Sequence, residues 1–246
     1  MILERAQHPT WTSNAYLVAE GEGGHGVLID SNGVEGELLA HIEKLNITIT
    51  HMLVTHSHAD HVIDPAGLAQ RYGVPVVGSA LTKEAGVPID ETIADGDVVR
   101  SGELSLRAIA IPGHCPDQIA FFLNGTDCFT ADCLFKGTVG GTLNGGPTGY
   151  ADQVNSIMHV LMNLPHETHI HPGHTAPSTI GFEWERNPFI RIWRALDPQG
   201  HEPCRVRGED ATLIYFGDDY DGTHKAWVRF ADGRDAIVGG SMIERD

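Results

Sequence analysis

The sequence predicts a mixed α/β (α+β) protein: two β-sheets packed face to face with helices outside, followed by a small all-β module. Three observations carry that prediction. Short apolar, strand-like runs alternate with helix-periodic stretches, and the pattern occurs twice along residues 1–200. Several of the runs end in turns bearing histidine or aspartate, which collects polar side chains at strand ends. From about residue 201 the helical periodicity stops, and short strand-like runs separated by tight turns take over.

Residues 14–19 and 26–30 read as two strands joined by the glycine-rich turn 21–24, a hairpin signature within a β-rich first 30 residues. Asp30 closes the second strand, where it either caps the next segment or supports a site from behind. Over residues 34–45, Leu38, Leu39, Ile42 and Leu45 form a helical apolar stripe that belongs to a core. Residues 47–55 are β-branched and mostly apolar, which suits a buried strand. That strand runs into Thr55, His56, Ser57, His58, Ala59, Asp60 and His61, and helical character resumes over 65–72. Four metal-ligand types, His56, His58, Asp60 and His61, therefore fall within six residues on a strand-to-helix turn. Asp60 and His61 are expected to project away from the His56/His58 pair, so two neighbouring ions fit better than one tetrahedral ion.

Further ligand types lie at later strand ends. Residues 75–78 form a short strand and 104–111 a longer one, which leads into Pro112, Gly113 and His114. The strand pair 118–123 and 127–130 ends at Asp132, a carboxylate placed either to cap the next helix or to bridge two ions. Residues 151–164 are the clearest helix. Val154, Ile157, Met158, Leu161 and Met162 keep one apolar face, with Asp152 near the start and Pro165 beyond the end. The stretch 168–174 closes another strand with His169, His171 and His174. The first two are expected on one strand face; His174 follows a Pro-Gly turn and is the favoured ligand.

The C-terminal segment has strand candidates at 211–216, 224–230 and 236–238, with turns at 218–222 and 231–234. A small SH3-like β-barrel over residues 201–246 is expected, following a catalytic domain over 1–200. Tyr215, Phe216, Trp227 and Phe230 would form the barrel's core and its docking surface.

The formal charge of −17 without a Lys/Arg run argues against nucleic acid as a partner. Nothing approaches the ~20 apolar residues that span a bilayer, and the first residues lack the layout of a signal peptide. A cytoplasmic protein without a membrane partner is expected. Cys115, Cys128, Cys133 and Cys204 show no C-x-x-C pairing and read as reduced thiols.

Taken together, these residues resemble the metallo-β-lactamase-fold hydrolases, and most closely the short bacterial type of the glyoxalase II-like (hydroxyacylglutathione hydrolase-like) branch. The resemblance rests on the H-x-H-x-D-H motif at His56–His61, the P-G-H at Pro112–His114, the T-[GA]-D-x-L-F element at Thr130–Phe135 and the second P-G-H at Pro172–His174. It also covers residues 136–142 and 179–189, and in all spans roughly residues 10–190. It implies an αββα sandwich and two divalent metal ions, with zinc expected and iron or manganese as alternatives. His56, His58 and His114 would hold the first ion, Asp60, His61 and His174 the second, and Asp132 would bridge them.

Three departures bear on the substrate. Gly141 stands where glutathione-using relatives commonly carry arginine. The long helical C-terminal domain of full-length glyoxalase II is replaced by the all-β segment. Cys115 stands where threonine or serine is common, and as a buried thiol would be inert.

Two ions of this kind support attack of a metal-bridging hydroxide on a carbonyl, with Asp60 as the catalytic residue that orients the water and takes its proton. The expected substrate is a small-molecule acyl thioester. The alternatives are a mononuclear-iron persulfide dioxygenase, which typically shares the H-x-H-A-D-H form seen here with Ala59, and a lactone or ester hydrolase. Lys136 and Tyr150 are the candidate substrate contacts, Lys136 for an acidic substrate and Tyr150 at the pocket mouth. There is no G-x-S-x-G elbow to support a serine hydrolase.

Overall fold

The computed structural model describes residues 1–143, 145–146 and 149–245. Asn144, Pro147 and Thr148 of the glycine-rich stretch, together with Asp246, lie outside the described residues. The chain divides into two compact units. The first holds residues 1–110, 117–131 and 170–175; the second holds 111–116, 132–169 and 176–246.

The first unit contains two sheets. One has the order β1 (Ile2–Gln7), β2 (Asn14–Ala19), β3 (His25–Ile29), β4 (Thr48–Leu53), β5 (Val76–Ser79) and β6 (Glu91–Ile93). Its first three strands are antiparallel, and the parallel half begins where β4 joins β3. Parallel neighbours need crossovers, which α1 (Gly36–Lys44) supplies between β3 and β4, α2 (Pro65–Tyr72) between β4 and β5 and the short α3 (Ala80–Glu84) between β5 and β6. Of the other sheet, this unit holds in order β11 (His169–Pro172), β10 (Asp127–Ala131), β9 (Ile119–Leu123), β8 (Leu104–Ala110) and β7 (Val98–Ser101).

Period-2 alternation explains why the central strands look continuously apolar. In β2, Ala15, Leu17 and Ala19 join Leu38, Ile42 and Leu68 in the core beneath the two helices. Tyr16 and Val18 point the other way and pack with Phe121, Leu123 and Phe129 between the sheets. Leu28 and Met52 belong to the helix side, Ile29 and Leu53 to the sheet side. Both faces of this sheet are buried, as the sandwich prediction requires. α2 is well delimited. Pro65 opens it, Asp64 Oδ1 accepts from Gly67 N–H at 2.9 Å, and Gly73 closes it at φ +66°.

In the second unit the expected helix 151–164 is α4 (Gly149–Asn155), a π-turn over Ser156–Val160 and a 3-10 turn over Leu161–Asn163. The Leu161 N–H bonds Ser156 O, five residues back, so the apolar stripe persists while the winding changes along it. A two-residue strand β12 (Ser178–Thr179) leads into α5 (Ile180–Arg186), and α6 (Pro188–Trp193) follows.

The C-terminal strands are β13 (Glu202–Val206), β14 (Glu209–Asp218), β15 (His224–Phe230), β16 (Asp235–Gly239) and β17 (Ile243–Glu244). They form one curled antiparallel sheet in the order β16-β15-β14-β13-β17, with a register shift between Leu213 and Tyr215. One face buries Leu213, Val228, Phe230 and Val238. The other docks on this unit's helices. Trp227 lies 5.4 Å from the Tyr150 ring and 6.3 Å from Trp193, and Tyr215 lies 4.9 Å from Phe189. The sequence pattern marks β14, β15 and β16 and misses β13 and β17, the latter being only two residues long. Among the described residues no helix is long and apolar enough to cross a membrane.

Candidate metal centre

β4 ends at Leu53, and the following residues are fixed by a single buried carboxylate at the end of β3. Asp30 adopts φ +59°, a left-handed conformation that Asp tolerates better than most residues. Its Oδ1 accepts from the Thr55 backbone N–H at 2.8 Å and its Oδ2 from Thr55 Oγ1 at 2.8 Å. The same Oδ2 lies 3.0 Å from His61 Nδ1. One side chain thus ties both ends of the ligand-bearing stretch, a support role that sequence left open beside helix capping.

These contacts assign the histidine tautomers. A carboxylate can only accept, so His61 carries its proton on Nδ1 and presents the Nε2 lone pair. Thr55 Oγ1 already donates to Asp30, so its contact with His56 Nδ1 at 3.0 Å makes His56 the donor as well. His174 Nδ1 lies 3.1 Å from the Trp11 carbonyl oxygen and is likewise protonated there. Holding the distal ring nitrogen in this way aims the other at a ligand and raises its basicity.

In the first unit the lone pairs converge. His61 Nε2 and His174 Nε2 are 3.4 Å apart, and Asp60 Oδ2 lies 3.6 Å from the first and 3.5 Å from the second. Three electron-pair donors facing one another repel unless a cation sits among them. Tetrahedral coordination at about 2.0–2.1 Å puts ligand atoms roughly 3.4 Å apart. The trio therefore fits a divalent ion in chemistry and in spacing.

His56 and His58 stand edge to face at 4.8 Å between ring centroids, His56 fully buried and His58 half-buried. The expectation that His61 projects away from this pair is corrected. The turn over Ala59–His61 folds back and brings the His61 ring to 4.5 Å from His56, because its Nδ1 must reach Asp30.

The second unit carries the other two candidates. His114 Nδ1 faces the Gly141 carbonyl oxygen at 2.8 Å, and His114 Nε2 lies 3.5 Å from Asp132 Oδ2. Two glycines make that turn possible. A Cβ on Gly113, at φ +143°, would stand 2.4 Å from the backbone of Gln153, and one on Gly140 would overlap the Asp132 carbonyl oxygen. Gln153 in turn donates to Cys133 O at 2.8 Å and steadies the residue after Asp132.

The histidines of β11 separate cleanly. His169 is exposed, and buried His171 pairs with Asp127 at 2.8 Å, which makes it a structural residue. Cys115 is buried and not disulfide-bonded. Lys136 is exposed and acts on the charge of Glu183. Tyr150 accepts from Trp193 Nε1 at 3.0 Å and borders a cavity of about 190 Å³ shared with C-terminal residues such as Phe230 and Asp235. Beside the ligand stretch, an open groove of about 410 Å³ is lined, among the described residues, by uncharged side chains that include Ser57, Ala59, Val62, Ile63, Val87 and Pro88. Sequence reasoning missed the carbonyls of Trp11 and Gly141, since any residue type supplies a carbonyl and no motif marks one.

Residues 8–218 match the model of the Metallo-beta-lactamase superfamily. A hydroxyacylglutathione hydrolase from a Bradyrhizobium species is 33% identical over 201 residues, covering 81% of this chain and 76% of that protein. The hydroxyacylglutathione hydrolase GloC of Haemophilus influenzae is 32% identical over 184 residues, covering 66% of this chain and 86% of its own. Among solved structures, ETHE1 from Myxococcus xanthus superposes with a TM-score of 0.69 at 31% identity, covering 80% of this chain and 92% of that one. TTHA1623, solved in a di-iron-bound form, gives 0.63 at 30% identity and covers 76% and 99%. With this match across most of its length, on a sandwich whose strand ends carry the histidine and aspartate cluster, the chain belongs to the metallo-β-lactamase superfamily.

Proposed function

We propose that the protein is a dinuclear metal-dependent hydrolase of small acyl thioesters. The observation that carries this reading is the convergence of Asp60, His61 and His174 with the distal nitrogens of both histidines already committed. The hydroxyacylglutathione hydrolase activity for which the relatives are named points the same way. In this reading His56, His58 and His114 serve one ion, Asp60, His61 and His174 the other, and Asp132 serves both. Zinc suits the donor set, as do iron and manganese.

Bound divalent ions supply Lewis acidity and bring the pKa of water toward ~7. The chain's own residues do the rest. Asp30, Thr55 and the Trp11 and Gly141 carbonyls keep His61, His56, His174 and His114 in the tautomer that presents Nε2. Asp60, partly exposed beside His61 and His174, would orient water and accept its proton. The uncharged groove beside Ser57 and Ala59 suits the acyl portion of a thioester. Lys136 and Tyr150 are assigned as substrate contacts, and residues 201–246 as an SH3-like barrel. A cytoplasmic location completes the proposal.

A panel of acyl thioesters of glutathione, coenzyme A and smaller thiols, assayed with metal-loaded protein, tests the reading. Hydrolysis of at least one, abolished by His61→Ala, is expected; no turnover across the panel would overturn it. The second reading, a mononuclear-iron persulfide dioxygenase, is favoured by Ala59 in the H-x-H-A-D-H form. Oxygen consumption on adding a persulfide would establish it instead.

A further inference from the structure

The turn that carries His174 is held by the N-terminal hairpin to a degree that the ligand role alone does not demand. Pro172 O accepts from Tyr16 Oη at 2.6 Å and from Asn14 Nδ2 at 2.8 Å. Gly173 O accepts from the Asn14 backbone N–H at 2.6 Å. His174 O accepts from Gln7 Nε2 at 2.8 Å, and Thr175 O from Asn14 Nδ2 at 2.9 Å and Arg5 Nη1 at 2.8 Å. Four consecutive carbonyls thus each receive a donor from β1 or β2.

The loop joining those strands fixes the imidazole itself, because the Trp11 carbonyl accepts from His174 Nδ1. That loop is in turn pinned. His8 Nδ1 accepts from the Thr10 and Trp11 backbone N–H groups at 3.2 and 3.0 Å, and Asn32 Nδ2 donates to Ser13 O at 2.7 Å. A turn whose carbonyls are all engaged from one side has little freedom to rotate. The direction of His174 Nε2 is therefore set by β1, β2 and their loop. His56 takes its orientation from Thr55 instead, at the end of β4.

We infer that the β1–β2 hairpin is a positioning clamp for His174. Gln7, Trp11, Asn14 and Tyr16 set the affinity of the ion position formed with Asp60 and His61, independently of the position assigned to His56 and His58. The inference rests on the reading of His174 as a metal ligand.

Gln7→Ala and Tyr16→Phe, separately and together, test it with little risk to the fold. Gln7 is exposed, and a phenylalanine at position 16 keeps the ring contacts to Phe129 and His171 at 5.1 and 5.9 Å. Metal-free protein is titrated with cobalt(II) against a competing chelator. Stoichiometry and the visible absorption of the bound ion are read, and thermal unfolding of the metal-free protein serves as control. The wild type is expected to take up two ions. The double variant should keep one at wild-type affinity and bind the other about tenfold or more weakly, with an altered absorption spectrum for that ion.

A merely structural role would lower the metal-free melting temperature and leave both affinities in place; that result overturns the clamp. An equal fall in both affinities overturns it too. His174→Ala separates the clamp from the ligand assignment beneath it. If that variant loses neither ion, the ligand assignment itself fails, whatever the hairpin variants do.

Discussion

Asp30→Asn is the sharpest perturbation of the support behind the ligands. Asparagine tolerates the left-handed φ of +59° at this position, so the backbone is not disturbed and only hydrogen bonding changes. The amide cannot satisfy all three donors that the carboxylate accepts. With its oxygen toward Thr55 Oγ1 and His61 Nδ1, its NH₂ meets the Thr55 backbone N–H and leaves a buried donor unpaired, which costs about 1–3 kcal/mol. In the opposite orientation the NH₂ faces His61 Nδ1 and forces the other tautomer, with the proton moved onto the nitrogen needed for the metal. The charge-assisted character of the remaining bonds is lost in either case. A total near 2–4 kcal/mol corresponds to a fall of roughly 5–15 °C in the melting temperature of metal-free protein of this size. Metal affinity should fall about 10–100-fold, as for other changes to a ligand's supporting partner. Calorimetry of the metal-free variant and chelator competition measure the two effects. A variant that melts within a degree of wild type and binds metal equally well would refute the role given to Asp30.

Two further side chains make predictions of their own. Glu183 is buried, and desolvation raises its carboxyl pKa despite hydrogen bonds from Ser178, Asn187 and Gly137. The folded chain therefore holds that proton more tightly than the unfolded chain, so the associated stability is complete below the ordinary glutamate range and is lost as pH rises through the folded value. In Glu183→Gln the amide nitrogen can face Ser178 Oγ and its oxygen Gly137 and Asn187. Denaturant unfolding from pH 4 upward should show this variant gaining on wild type through that window, and a constant difference between them would refute the assignment. Among the described residues a Cβ on Gly141 would meet only the Ile237 carbonyl oxygen, at 3.5 Å, so Gly141→Arg should fold normally and keep its carbonyl on His114. It should raise kcat/KM for glutathione thioesters relative to those of uncharged thiols; an unchanged ratio would show that this position does not govern thiol choice.

The sandwich was legible because both kinds of period are strong here. Alternation in β2 divides Leu17 from Tyr16 onto opposite faces, and Leu38 with Ile42 marks a helix independently of any site. The ligand candidates were legible because histidine and aspartate after an apolar strand are visible in one dimension. The contacts that orient them were not. His61 returning to the His56 ring depends on Asp30, 31 residues away in sequence, and the structural role of His171 depends on Asp127, 44 residues away. The hairpin contacts to residues 172–175 span more than 150 positions and end on backbone oxygens, which carry no residue identity. At the C-terminus, Trp227 and Tyr215 were readable as core or docking aromatics, but α6, on which both dock, was not. The π-turn in the helix after Asn155 left no trace in the apolar spacing, since its residues keep the same face.

The most direct test of the central claim is the metal content of protein purified without chelator, read per chain by elemental analysis. Close to two divalent ions is the result the account predicts, with one of them lost when His174 is replaced by alanine. No tightly bound metal would contradict it at its first step, and a single iron accompanied by oxygen consumption with a persulfide would replace the hydrolase with the dioxygenase.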